Sequence, residues 1–112
     1  MARVLCVIDY QVDFVTGLMG SPDADSIAPA LSARISEFLR RGDTVCFTRD
    51  VHDPSSYADS CEGRHIPAHC VKGTPGCELD ARILPLSEGC RVFDKETFAS
   101  REMAEYVASL RP

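Results

Sequence analysis

The chain has 112 residues, which suffices for one compact domain and is too short for two. Seventeen acidic residues against twelve basic ones give a net charge of −5, which repels phosphate backbones and anionic membrane surfaces. The longest apolar run near the N-terminus, residues 4–8, is far shorter than a bilayer span or the core of a signal peptide. We therefore expect a soluble, cytoplasmic protein that binds neither nucleic acid nor membranes.

The first predicted element is a strand at residues 3–9, RVLCVID, a nearly continuous apolar run that ends in a carboxylate. Such a run is typical of a strand buried on both faces of a parallel sheet. After a polar loop, apolar side chains recur at helical spacing over residues 27–39 and predict an amphipathic helix. Asp25 or Ser26 is its predicted N-cap, and Gly42 ends it.

Residues 44–48, TVCFT, predict a second buried strand. The order strand, helix, strand implies a right-handed crossover and a parallel pair. Residues 51–76 then change to His, Asp, Pro, Ser, Cys and Gly, and a loop this long in a small domain favours a functional segment. Residues 78–84 predict a short helix that Pro85 stops.

The last predicted elements are a third strand at residues 91–93 and a helix over residues 100–110. The helix is expected to face inward through Met103, Val107 and Leu110. The resulting order predicts the α/β class, as the N-terminal part of a doubly wound parallel sheet.

Six cysteines in so short a chain raise the possibility of a disulfide scaffold, but no secretory segment accompanies them. Cys6 and Cys46 lie inside apolar runs, where a buried small hydrophobic residue is the simpler interpretation. The sequence has no CxxC pair, which excludes a zinc knuckle and a thioredoxin motif.

Polar residues follow each predicted strand: Asp9 and Gln11 after the first, residues 49–52 after the second, Asp94 and Lys95 after the third. In an open parallel sheet ligands bind beyond the carboxyl ends of the strands, so these groups should converge. An aspartate close to a lysine suits proton transfer, because one group can hold a proton while the other holds charge. A solvated loop ion pair is the alternative.

A second set of residues has the chemistry of a metal site. Asp50, His52 and His69 offer a carboxylate and two imidazoles, which suits a divalent transition metal. Cys70 is an alternative ligand, but adjacent residues seldom face the same ion. Solvated loop histidines are the alternative to a metal site.

Four stretches, taken together, resemble the isochorismatase-like cysteine hydrolases, and particularly the nicotinamidase-type amidohydrolases. Residues 7–14, VIDYQVDF, resemble the D-x-Q-x-D-F signature of strand one. Residues 47–52, FTRDVH, resemble the entry to the metal loop, and residues 66–76, IPAHCVKGTPG, resemble the P-x-H-C-x-x-G-T-x-G segment. Residues 95–98, KETF, resemble the K-x-x-F motif after strand three. The resemblance implies a three-layer α/β/α fold.

The resemblance also implies the chemistry of the family. Asp9 and Lys95 match two members of a catalytic triad whose third member is a cysteine. In that mechanism the thiolate attacks an amide carbonyl, the aspartate carries the thiol proton to the leaving amine, and water clears the acyl-enzyme. Phe14 and Gln11 are the residues expected to bind the substrate, a small amide.

The metal site carries over to Asp50, His52 and His69, and the implied cofactor is a divalent metal, with zinc the expected ion. A further loop histidine of the family has no counterpart in residues 53–63. Ser55 or Ser56 is the substitute considered for it.

The four matching motifs do not include the catalytic nucleophile of the family. In the family the catalytic cysteine follows a fourth strand, well after the K-x-x-F motif, and none of the six cysteines lies in that context. We therefore expect residues 1–112 to form a single, incomplete hydrolase domain that is inactive by itself.

Other functions remain open on the same residues. The chain is a candidate for a non-catalytic binding or assembly module, because strand one would present a free edge where the rest of the sheet should lie. That edge predicts a homo-oligomer or a complementing C-terminal segment as partner. Isochorismatase-type or ureide hydrolysis on the same scaffold is the remaining alternative.

Overall fold

The computed structural model describes residues 2–112. Its strands are β1 (Val4–Ile8), β2 (Thr44–Asp50) and β3 (Arg91–Lys95). Its helices are α1 (Val12–Val15), α2 (Pro22–Ser26), α3 (Ala28–Arg40) and α4 (Arg101–Ser109). Single turns of 3₁₀ helix occupy Tyr57–Asp59, Glu62–Arg64, Pro75–Cys77 and Leu84–Ser87. No helix within residues 2–112 is long and apolar enough to cross a membrane.

The three strands form one parallel sheet in the order β1-β2-β3. Val4 of β1 is paired with Thr44 of β2, and Cys46 of β2 is paired with Arg91 of β3. β2 therefore has a partner on both sides, and five of its seven residues are buried. This sheet confirms the predicted α/β class with parallel strands.

Helix α3 makes the crossover between β1 and β2 and covers one face of the sheet. Its apolar residues Ile35 and Phe38 belong to the same core cluster as Val7, Val45 and Phe47 of the strands. Successive strand residues point to opposite faces, so the alternate residues of β2 face away from α3.

Helix α4 lies against β3 on the other face of the sheet. The ring of Tyr106 packs on Phe93 with the ring centroids 5.6 Å apart, and Ser100 caps the helix by accepting a hydrogen bond from Met103 N. The predicted inward residues Met103, Val107 and Leu110 are only half-buried. Within residues 2–112 this face has less cover than the face under α3.

Two local predictions are wrong. The predicted N-caps Asp25 and Ser26 lie inside α2, and it is Ser21 that caps this helix by accepting a hydrogen bond from Ala24 N at 3.1 Å. The chain turns at Ile27 before α3 begins. The Ser-Pro pair at the start of α2 therefore begins a helix earlier than the apolar spacing indicated.

Residues 78–84 do not form the predicted helix. Asp80 N donates to Tyr10 O at 2.9 Å, and Leu79 forms an isolated bridge with Gln11. The buried side chains of Leu79 and Ile83 are held in the core by an extended and turning backbone. Pairing with the segment after β1 thus overrides the local helical spacing.

The core packing of α3 provides a first prediction. Ile35→Ala should lower the free energy of unfolding by about 2–5 kcal/mol, because the fully buried side chain leaves a cavity between helix and sheet. Leu39→Ala, on the half-exposed side of the same helix, is the matched control and should cost much less. Urea denaturation followed by circular dichroism measures both, and equal losses would contradict the described orientation of α3.

Candidate metal and proton-transfer site

The carboxyl ends of the strands meet at one edge of the sheet and bring the polar residues there together. Asp9 follows β1, while Asp50 and Lys95 end β2 and β3 and are paired in register. Lys95 Nζ lies 2.8 Å from Asp9 Oδ2, although 86 residues separate the two in the chain. The parallel register thus produces an ion pair between the first and third strands, across the end of the second.

Asp9 is held in place by its neighbour in β2. Thr48 Oγ1 donates to Asp9 Oδ1 at 2.7 Å, and Asp9 N donates to Thr48 O at 3.2 Å. Asp9 has a φ of 51°, in the left-handed region that costs free energy for a residue with a side chain. The Lys95 side chain is 6% exposed and that of Asp9 is 22% exposed, so the ammonium is buried while the carboxylate stays accessible.

Four side chains beside this pair bring their ligand atoms within 4.8 Å of one another: Asp50, His52, Glu62 and His69. Asp50 Oδ2 lies 2.8 Å from His52 Nε2 and 3.3 Å from His69 Nε2. Glu62 Oε2 lies 3.2 Å and 3.4 Å from the same two nitrogens. Two carboxylates thus alternate with two imidazoles around one point.

The four groups fit a divalent metal ion. Ligand atoms bonded to zinc in a tetrahedron lie about 3.3 Å apart, and the contacts around this point measure 2.8–3.4 Å. Two carboxylates balance the charge of a divalent cation, and neutral imidazole nitrogens complete a ligand set typical of zinc and its neighbours. Burial of Asp50, His52 and His69 also removes competing water.

Surrounding groups orient the histidine rings. His69 Nδ1 lies 2.8 Å from Pro67 O, which only accepts, so this nitrogen carries the proton and leaves Nε2 free to bind a metal. The Tyr57 ring packs on His52 with the ring centroids 4.5 Å apart, and its hydroxyl donates to Ile66 O at 3.0 Å. Burial, followed by the nearby Glu62 carboxylate, raises the pKa of Tyr57, so this phenol remains a donor.

Glu62 is the member of the cluster that the sequence analysis missed. Ser55, considered as a substitute ligand, instead donates to Asp53 Oδ1 at 2.6 Å in an exposed turn, and Ser56 is also exposed. A search for histidine alone overlooked that a carboxylate serves the same purpose. The available signal was an acidic residue between His52 and His69.

Gln11 and Phe14, expected to bind substrate, have different surroundings. Gln11 is fully buried, where its Nε2 donates to Asp50 O at 2.8 Å and to Cys77 O at 2.7 Å. Its Oε1 accepts from Asp50 N at 2.7 Å, so the whole amide is used to hold backbone. Phe14 packs edge-on against His69 with the ring centroids 5.3 Å apart. Only Phe14 faces the open site.

A cavity of about 300 Å³ joins the two groups of polar residues. The ion pair contributes Asp9, the metal cluster contributes three of its members, and the remaining wall is apolar. The lining residues are Asp9, Phe14, Met19, Asp50, Glu62, Ile66, His69 and Phe98. A small molecule in this cavity would contact the Asp9 carboxylate and the metal ligands at once.

The cysteines of the chain are poorly placed for nucleophilic attack. All six are free thiols, and Cys70, next to His69, is fully buried. Burial, followed by the charges of Asp50 and Asp13, raises the pKa of the Cys70 thiol, and burial likewise raises that of Cys77. A nucleophile must be reachable and must ionise, and these two thiols satisfy neither condition.

The isochorismatase domain matches residues 3–111, nearly the whole chain. The chain belongs to the isochorismatase family. Membership of the family confirms the resemblance of the four motifs and the predicted fold class.

Relatives in the isochorismatase family agree in sequence and in fold. Over 90 residues the chain is 36% identical to the isochorismatase family protein PncA of Bacillus subtilis strain 168, a match covering 77% of this chain and 48% of that protein. The pyrazinamidase/nicotinamidase of Streptococcus mutans UA159 superposes with a TM-score of 0.86 at 27% identity, over 98% of this chain and 67% of that chain. The pyrazinamidase of Pyrococcus horikoshii, solved in complex with zinc, has a TM-score of 0.78 at 27% identity, over 96% of this chain and 64% of that chain.

The chain therefore spans about half the length of its curated isochorismatase relative and about two thirds of these two solved structures. The matched part contains the three strands described above and the residues at their carboxyl ends.

The burial of the thiols provides a second prediction. In the native protein iodoacetamide should modify the exposed Cys61, whereas Cys46, Cys70 and Cys77 should react only after unfolding, because their side chains are at most 2% exposed. Peptide mass mapping with and without urea measures this. Labelling of Cys70 at the rate of Cys61 in the native protein would contradict the exclusion of Cys70 as a nucleophile.

Proposed function

We propose that this chain supplies the proton-transfer pair and the metal ligands of a nicotinamidase-type cysteine hydrolase that acts on small amides. The observation that carries the proposal is that Asp9 and three metal-ligand side chains line one cavity. Family membership supports hydrolase chemistry, and the two solved structures named above are a pyrazinamidase/nicotinamidase and a pyrazinamidase.

In the proposed reaction Asp9 is the general base. Its accessible carboxylate takes the proton of a thiol, the thiolate attacks the amide carbonyl carbon, and the proton passes from Asp9 to the leaving amine as the C–N bond breaks. Water then attacks the acyl carbon and Asp9 takes its proton as the thiolate leaves. Lys95, with its Nζ 2.8 Å from Asp9 Oδ2, supplies a positive charge beside the carboxylate that would also stabilise the thiolate.

The metal ligands proposed are Asp50, His52, Glu62 and His69, with zinc as the expected ion. A bound divalent ion would supply a Lewis-acid site for a ring nitrogen or oxygen of the substrate. The zinc complex of the Pyrococcus horikoshii pyrazinamidase supports this choice of ion.

The cavity wall favours a flat, weakly polar substrate. Phe14, Ile66 and Phe98 contribute apolar surface to the same cavity as the carboxylates. A ring that carries a carboxamide, such as nicotinamide, can place its face on this wall and its amide beside Asp9. Phe14 is the proposed substrate contact, and Gln11 acts by holding Asp50.

The thiol itself must come from outside residues 1–112, which we propose to be one incomplete hydrolase domain. Within residues 2–112, β1 pairs with β2 alone, and Ile8 at its carboxyl end is 53% exposed. An unpaired edge beside exposed apolar side chains suits another strand. We propose that a complementing C-terminal segment, or a second copy of the chain, pairs with β1. The six free thiols suit the reducing cytoplasm.

The metal site provides a third prediction. His52→Ala and His69→Ala should each lower zinc affinity by more than the roughly 10–100-fold that changes around the ligands cost, and Glu62→Gln should also weaken binding. His65→Ala and Ser55→Ala, at exposed positions of the same loop, are the matched controls. Competition titration against a chromophoric chelator measures the affinities. Equal affinity in all variants would contradict the site.

The proton-transfer pair provides a fourth prediction. The chain alone should release no ammonia from nicotinamide, because no accessible thiol lies beside Asp9. A fusion of the chain to the part of the Bacillus subtilis relative that the match does not cover should release it, and Asp9→Ala in the fusion should cost about 10²–10⁴-fold in kcat. Asp59→Ala, which removes an exposed carboxylate, is the control.

Three outcomes distinguish the functions in this assay. Ammonia release by the chain alone that Asp9→Ala abolishes would contradict an external nucleophile. A folded, zinc-loaded fusion that hydrolyses ureides and not nicotinamide would support the ureide-type reaction instead. A fusion without activity on either class would favour the non-catalytic assembly module.

A further inference from the structure

Asp13 has a contact that the proposed chemistry does not use. Its Oδ2 accepts a hydrogen bond from Cys70 N at 2.8 Å, across 57 residues of sequence. Cys70 immediately follows the metal ligand His69. A carboxylate of helix α1 therefore holds the backbone beside a proposed ligand of the metal.

The backbone at Cys70 needs such support. Its φ is 46°, in the left-handed region that residues with a Cβ seldom adopt. A strained conformation of this kind persists only where the surrounding structure enforces it. A hydrogen bond from its N–H to a side-chain acceptor that is itself held in place is one way to enforce it.

Cys70 also forms a hydrogen bond with the backbone of the second histidine of the cluster. His52 N donates to Cys70 O at 3.0 Å, and Lys72 N donates to His52 O at 2.9 Å. Asp13 thus acts on a segment, residues 69–72, that is bound to the backbone of one imidazole ligand and contains the other. A change at Cys70 N would reach both rings.

The chain leaves space for the Asp13 carboxylate. A Cβ on Gly76 would clash with all three atoms of the carboxylate group, and a Cβ on Gly17 would lie 2.7 Å from Asp13 Oδ1. Neither glycine has a positive φ, so backbone conformation does not require glycine at these positions. The lack of a Cβ is what leaves space for the Asp13 carboxylate. The carboxylate lies close to both glycines, and its Oδ2 accepts the hydrogen bond from Cys70 N.

We infer that Asp13 is a positioning residue for the metal site: its carboxylate fixes the strained turn at Cys70, so that His69 and His52 present Nε2 to the same point. The inference rests on the proposed metal site for its function. It assigns Asp13 no contact with substrate or metal. The hydrogen-bond acceptor, and not the negative charge, is the property that matters.

The variants Asp13→Ala and Asp13→Asn separate these two properties. Alanine removes the acceptor and the charge, whereas asparagine keeps an acceptor oxygen and removes the charge. Asp59→Ala is the control for loss of an exposed negative charge in the metal loop. Gly76→Ala is a second route to the same defect, because its Cβ would displace the carboxylate.

The first readout needs no metal. Amide hydrogen exchange by NMR in the metal-free protein should show Cys70 N–H protected in wild type and Asp13→Asn and exchanging faster in Asp13→Ala and Gly76→Ala. The second readout is zinc affinity, which should fall about 10–100-fold in Asp13→Ala and stay within about threefold of wild type in Asp13→Asn and Asp59→Ala.

Wild-type exchange of Cys70 N–H in Asp13→Ala would overturn the inference whatever the metal affinity. Equal losses of zinc affinity in Asp13→Asn and Asp13→Ala would overturn it in favour of a simple charge effect. A third outcome is that Asp13→Ala loses the protection of Cys70 N–H while the wild-type protein itself binds no zinc. This result would support the contact of Asp13 with the turn and would contradict only the proposed metal function.

Discussion

Parallel pairing of β2 with a strand on each side is the constraint on which the rest of this structure depends. It aligns the carboxyl ends of three strands, so that Asp9, Asp50 and Lys95 meet although they are distant in sequence. A one-residue slip of any strand would turn its terminal side chain to the other face. A slip of β2 would exchange the fully buried side chains of Phe47 and Cys46 between the two faces, where the packing fits side chains of different size.

The segment after β1 connects the strand ends to the loops that carry the rest of the candidate site. The side chain of Gln11 forms two buried hydrogen bonds with the backbone of Asp50 and one with the backbone of Cys77. The side chain of Asp13 accepts a hydrogen bond from the backbone of Cys70. Each binds a segment that carries members of the candidate metal cluster, so one short motif contacts the backbone at Asp50 and beside His69. Rigid support of this kind lets ligands sit in place before a metal binds, which reduces the ordering entropy of binding.

The sequence predicted the framework well and the loops less well. The buried strands and the crossover helix follow from apolar runs and from helical periodicity. The sequence also predicted Asp50, His52 and His69, three of the four members of the candidate metal cluster. Glu62 was not predicted, because a carboxylate in a loop belongs to no periodic sequence pattern. It becomes a candidate only when its distance to His69 is known. The expected substrate contact at Gln11 rested on its motif position, which does not reveal that the amide is buried against backbone.

The sequence by itself determined the class of the sheet and the strand-end positions of Asp9 and Lys95, because these are properties of residue type and order. Only the tertiary structure decided that Leu79 pairs with Gln11 in place of forming a helix, and that Glu62 lies beside Asp50, His52 and His69 in the candidate metal cluster. It also revealed the contact of Asp13 with Cys70. Each of these depends on contacts between segments far apart in the chain, whose free energy outweighs local preference and cannot be read from local sequence.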